Sequence, residues 1–251
     1  MTFLRHLALG LAAFLWAVLS SPFLNAAPSD DPDKDPDLPK RLHEARALID
    51  DKKPQPGIAI CDKVIAAFQA HYGKSKHKIY CARSQTENLA YLVTAAAAMS
   101  KGEFDKGKKD AICLSSTWAN AFYIKGYALQ ELRRLAEAKA ALKRAIEFSP
   151  QHSQYLSELG SLYVLEKNWD DAMKTFLAAE DDAAISPDDV RSDELGRARR
   201  GIGYVLVELG KLDEAEKKYE QCLADNPKDS RAAEELKYVR NLKAKKRGNL
   251  N

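Results

Sequence analysis

"FYIKGYALQELRRLAEAKAALKRAIEFSP", residues 122–150, places Gly126 inside a run of strong helix formers. A glycine in a helix interior costs about 1 kcal/mol relative to alanine. A chain that keeps one there uses the missing side chain. The glycine returns: Gly160 lies 34 residues after Gly126, and Gly203 lies 43 after Gly160, one period plus nine extra residues. Self-similarity at such a period is the mark of a repeat architecture.

Other positions move with the glycine. Phe122, Lys125, Gly126 and Leu129 are followed by Ala138, Leu142, Ala145 and Pro150; Leu156, Leu159, Gly160 and Tyr163 by Ala172, Phe176 and Ala179; Ile202, Gly203 and Leu206 by Ala215, Tyr219, Cys222 and Pro227. Small residues let two antiparallel helices approach, and large ones fill the grooves beside them. The stretches 132–137, 166–171 and 209–214 read as the turns between paired helices, and Pro150 and Pro227 end the second helix of a pair.

This pattern resembles the tetratricopeptide repeat (TPR) family. The resemblance implies an all-α fold, a right-handed α-solenoid of helix-turn-helix repeats with a C-terminal capping helix. Weaker copies extend it towards the N-terminus. Aligning Gly57 with the Ala138 slot gives a helix pair at about 38–71, and aligning Gly107 with it gives a second at about 88–118. The expected plan is two degenerate helix pairs over 40–118, repeats over 119–152, 153–186 and 187–229, and a capping helix with a basic tail over 230–251. No stretch alternates long enough to suggest a sheet. The nine extra residues include Ser186-Pro187-Asp188-Asp189, which reads as an N-cap followed by a proline and acids at a helix start, so a lengthened helix or extra turn is expected there.

The N-terminus has a different character. Arg5 and His6 precede an apolar run from Leu7 to Leu19, then small residues up to Ala27, the order of a secretory signal peptide over residues 1–27. The expectation is export to the periplasm, with an uncleaved inner-membrane anchor over residues 7–24 as the alternative. Residues 28–39 alternate proline and aspartate and read as a solvated linker.

Chemistry is hard to find. The chain has no Gly-x-Ser-x-Gly, no His-Glu-x2-His and no phosphate-cradling glycine loop, so an enzyme is not expected, nor a cofactor. A metal-dependent enzyme using Cys61, His71, His77 and Cys81 is a minor alternative, since these residues lack metal-ligand spacing. In an exported protein the four cysteines permit disulfides; with 81 and 113 at neighbouring ends of one helix pair, Cys81–Cys113 is the preferred bridge. Cys61 and Cys222 fall in core slots.

What the resemblance implies about function is a scaffold that binds a partner protein or peptide along the first helices of its repeats. Carried over by slot, the groove residues are Asn120, Tyr123, Tyr127, Gln130, Gln154, Ser157, Ser161, Arg197, Arg200 and Tyr204. Tyr127 and Tyr204 read equally well as packing between repeats. Arg199 departs from the family pattern, in which its slot is apolar. The net charge of +3 is too balanced to argue for nucleic acid. Arg240, Lys243, Lys245, Lys246 and Arg247 make a basic tail that could touch anionic lipid headgroups, or simply complement a helix end. The expected role is thus an envelope scaffold, with a membrane-anchored assembly factor as the alternative.

Overall fold

The structure, a computed structural model, describes residues 30–248. The expected signal peptide over residues 1–27 and the anchor over 7–24 lie outside the described residues. The chain divides into two units, residues 1–35 and 36–251. In the first, the described residues form a single 3-10 turn, Pro32–Lys34, capped by the Asp31 side chain accepting from the Asp33 N–H.

The second unit opens with α1, Asp37–Asp50, so the expected linker stops short of residue 39. Leu38, Leu42, Ala45 and Ile49 bury one face of α1 against α2, Pro54–Tyr72. A Cβ on Gly57 would sit 2.8 Å from the Ala45 carbonyl oxygen, so this glycine is a close-approach site. The first degenerate pair is a true helix hairpin.

The second is not. Residues 78–115 form a β-α-β unit: β1, Lys78–Ala82; α3, Gln85–Ser100; and β2, Ala111–Ser115. The strands pair in parallel, Tyr80 opposite Cys113 and Cys81 opposite Leu114. Parallel neighbours need a crossover, which α3 supplies. Two features explain the correction. Ser84 caps α3 by accepting from the Glu87 N–H, so the helix cannot run back through Lys78. Gly107, aligned as a packing notch, instead has φ +80° with nothing within 4 Å of its Cβ position; it is a turn glycine.

The stack resumes with α4, Thr117–Glu131, which packs directly on α1 and α2, leaving the β-α-β unit as an insertion between repeats. Helices α5 (Leu135–Phe148), α6 (Ser153–Leu165), α7 (Trp169–Asp182), α8 (Asp188–Glu208) and α9 (Leu212–Asp225) complete three pairs, and α10 (Ser230–Gly248) caps them. This is an all-α TPR-like repeat solenoid with one small parallel ribbon inserted. Each hairpin turns through one residue of positive φ at the same slot: Lys52, Arg133, Lys167 and Gly210. The expected insertion is a 3-10 turn, Ala183–Ile185, followed by the 21-residue α8. Ser186 does not cap it; its hydroxyl donates to Glu194 at 2.6 Å.

The helical glycines do what their spacing implies. A Cβ on Gly126 would meet Leu142 at 3.0 Å, and one on Gly203 would meet the Tyr219 ring at 2.6 Å. Trp118, at the start of α4, joins the first hairpin to the array by stacking between Phe68 (5.5 Å) and Phe148 (4.3 Å).

Candidate partner-binding groove

The first helices of the last two pairs, α6 and α8, run beside α10 and enclose a groove of about 460 Å³. Its floor is apolar: Phe176 and Tyr219 reach up from the second helices, and Val164, Leu165 and Tyr204 form the sides. Leu165 is 53% exposed and Tyr204 41%, so both sides are open to a partner.

Both signs of charge line it. Arg197, Arg200 and Arg231 cluster where the groove meets a second depression that also holds Lys228 and Asp229. Arg197 pairs with Glu158 at 2.9 Å, and Arg200 pairs with Asp229, whose other oxygen caps α10 by accepting from the Ala232 N–H. Burial holds the Glu158 carboxyl above its usual range against the pull of Arg197. Among the described residues Arg231 has no ion-pair partner. Glu234 and Glu235 also line the groove, and burial together with Glu208 and Glu235 raises the Tyr204 hydroxyl pKa.

Four of the ten expected groove residues meet here: Ser161, Arg197, Arg200 and Tyr204. The others lie elsewhere or are already engaged. Tyr123 is 6% exposed, stacks on Tyr155 and accepts from Gln154 at 2.8 Å; burial pushes its pKa up to about 12. Tyr127 lies under the Arg46 guanidinium at 4.1 Å, so it packs between repeats. Ser157 is buried, and Asn120 and Gln130 are half-buried on α4, outside this groove. Arg231, Glu234 and Glu235 were missed because α10 reads as a cap. Yet 34 residues after Arg197 and Arg200 stand Arg231 and Glu234, so the period itself carried the signal.

The Cys81–Cys113 bridge is not formed, because residues one step out of register on paired strands point to opposite sheet faces. Cys81 enters the main core and Cys113 lies beneath α3. Cys61 is in the core, its thiol pushed up to about 12 by burial, and Cys222 likewise to about 11. His77 pairs with Asp110 at the insertion, and among the described residues no group of three His, Cys, Asp or Glu side chains is placed to hold a metal ion. Arg199 is mostly buried and ion-paired, with Glu180 at 2.7 Å and with the half-exposed Asp225. Two of the five basic tail residues are engaged: Arg240 bonds Glu216 and Glu220, and Lys243 pairs with Asp213 and Glu216. No described helix is long and apolar enough to cross a membrane.

Residues 123–190 and 201–229 match tetratricopeptide repeat family profiles. These two segments carry tetratricopeptide repeats. Among solved structures it is similar to the first TPR of Spaghetti (RPAP3), solved with the HSP90 peptide SRMEEVD, at 24% identity over 51% of this chain and 98% of that one, TM-score 0.45. It is similar to MamA AMB-1 at 12% identity over 82% of each chain, TM-score 0.46. The TPR-like repeats of a Podosopora anserina kinesin light chain match at 15% identity over 86% of this chain and 97% of that one, TM-score 0.48. Each likeness is one of fold alone. No curated protein matches the chain.

Proposed function

We propose that the chain is a non-catalytic scaffold that holds an extended segment of a partner protein in the groove between α6, α8 and α10. The groove itself carries this reading: an open apolar floor lined by Arg197, Arg200 and Arg231 together with Glu234 and Glu235. Such a surface fits a segment with one bulky apolar side chain, an acidic group towards Arg231 and a basic one towards Glu234 and Glu235. Tyrosine and arginine are enriched among the residues that dominate binding energies. The family is in general a protein-interaction fold, and no cofactor or nucleic acid is part of this reading.

Partner capture by full-length protein tests it. Tyr204→Ala with Arg231→Ala is expected to weaken capture by about tenfold or more with helicity and melting unchanged. Capture at wild-type strength would refute the groove. We place the scaffold in the bacterial envelope, exported to the periplasm. The support is the sequence order of residues 1–27, and the alternative is retention at the inner membrane. Fractionation with N-terminal sequencing of the mature chain separates the two.

A further inference from the structure

The β-α-β insertion displays a helix face that nothing described covers. On α3, Tyr91, Ala95 and Glu87 point inward, while Leu89 is 65% exposed, Val93 58% and Met99 44%. Ala96 and Ala97 lie exposed among them. The only charged residue of α3 is Glu87, and it is fully buried. The outward face is therefore uncharged along the helix, and its exposed apolar residues span about 15 Å from Leu89 to Met99, at 1.5 Å per residue.

Its two ends are opposite in sign. At the N-terminal end, Arg83 bridges Glu87 of α3 to Glu194 of α8, bringing the acidic stretch 181–193 alongside; Ile185 packs into the cluster beneath α3. Asp181, Asp188, Asp189 and Asp193 are exposed there. At the C-terminal end, Lys101, Lys106 and Lys109 are exposed in the loop that follows α3; they outnumber its exposed carboxylates, Glu103 and Asp105, the latter paired with Lys78. Lys74 and Lys76 join them, because the two loops are tied by the Lys109 N–H donating to the Lys76 carbonyl at 2.8 Å and by Lys108 Nζ donating to the Ser75 carbonyl at 2.8 Å.

We propose that α3 is a homodimerisation helix, pairing antiparallel with α3 of a second copy about a two-fold axis near Val93. A two-fold places the same patch on both partners. An uncharged strip sets no like charges against each other, and the antiparallel arrangement lays the lysine end of each copy on the aspartate end of the other. Small alanines between Leu89 and Met99 let the helices approach closely. An anionic membrane fits less well, because the aspartates at one end would repel it and the strip has no aromatic anchor. The pairing uses the insertion and leaves the groove between α6, α8 and α10 open.

Sedimentation of the full-length chain tests this. The expected result is twice the 27.9 kDa chain mass at micromolar concentration, with dissociation on raising salt. Val93→Glu should give a monomer of unchanged helicity. Lys106→Glu with Lys109→Glu should weaken the dimer by about tenfold or more, and adding Asp188→Lys with Asp189→Lys should restore it. Leu89→Cys with Met99→Cys in one chain should cross-link on mild oxidation, whereas neither change alone should. A monomer at all concentrations, a dimer indifferent to Val93→Glu, or a monomer that pellets with anionic vesicles through this face would each overturn the proposal.

Discussion

The repeats and the insertion use the same residue types for opposite purposes. In the repeats, Gly126 and Gly203 remove a side chain so that Leu142 and Tyr219 can close in. In the insertion, Gly102 and Gly107 have positive φ with nothing near them, and serve only to turn the chain. Repeat helices bury their apolar face on the next helix, while α3 keeps one apolar face bare. A periodic array leaves little unsatisfied except at its ends. An insertion can carry an unsatisfied surface anywhere along the stack, which makes it the natural place for a second interaction.

What ties the two regions together is the buried charge cluster. Arg83 Nη1 donates to Glu194 Oε1 at 2.6 Å and Nε donates to Glu87 Oε1 at 2.9 Å, with Ser186 completing the Glu194 shell. Burial alone would lower the guanidinium pKa, but its hydrogen bonds to Glu194 and Glu87 leave it above the usual range. Removing one partner strands buried charge. Arg83→Met is expected to destabilise by about 3–5 kcal/mol, and hydrogen exchange should show the loss first in β1, α3 and the start of α8. Uniform loss across all repeats would show that the insertion is not a separate folding element.

Within the array, Gly203→Ala forces a methyl against the buried Tyr219 ring and should cost about 1–3 kcal/mol in denaturant unfolding. A neutral result would mean that the glycine period marks something other than close packing.

A pH effect arises at the junction. His152 is buried, stacks on Tyr155 at 3.5 Å between ring centroids, and has no hydrogen-bond partner for Nδ1 among the described residues. Burial and the nearby Arg83 hold its pKa well below 6.5. Its folded-state pKa lies below the unfolded one, so the unfolded chain binds the proton first. Stability is then full above about pH 6.5 and falls by about 1.4 kcal/mol per unit below it, until the folded value is reached. His152→Phe should flatten that slope in melting curves between pH 7 and 5.

The smallest effect belongs to the insertion's own glycine. Gly107→Ala meets no atoms and should cost only about 1 kcal/mol, through its positive φ alone. A larger loss would show a hidden contact and narrow the contrast with Gly203.

The repeats were legible because every unit meets the same neighbours, so each slot imposes one residue type at one spacing. The insertion was not. Its strands are five residues each, too short for alternation to stand out, and Gly107 occupied a repeat slot by coincidence. One local signal was present: Ser84 and Glu87 have the spacing of a helix start, and would have separated β1 from α3. Four of the ten expected residues line the proposed groove. Ser161, Arg197, Arg200 and Tyr204 followed from period, but periodicity does not say which slots are covered by a neighbour. Tyr123 and Tyr127 sit in equivalent slots and are taken by Gln154, Tyr155 and Arg46.

Period and residue size thus specify the paired helices of residues 117–225 and of the first hairpin, because they depend on contacts repeated at fixed sequence distance. Three things depend on contacts that occur once: the Arg83 bridge across 111 residues, the opposite faces of Cys81 and Cys113, and the bare face of α3 between a lysine end and an aspartate end. A contact made once leaves no period to read, so these emerge only when the chain is folded.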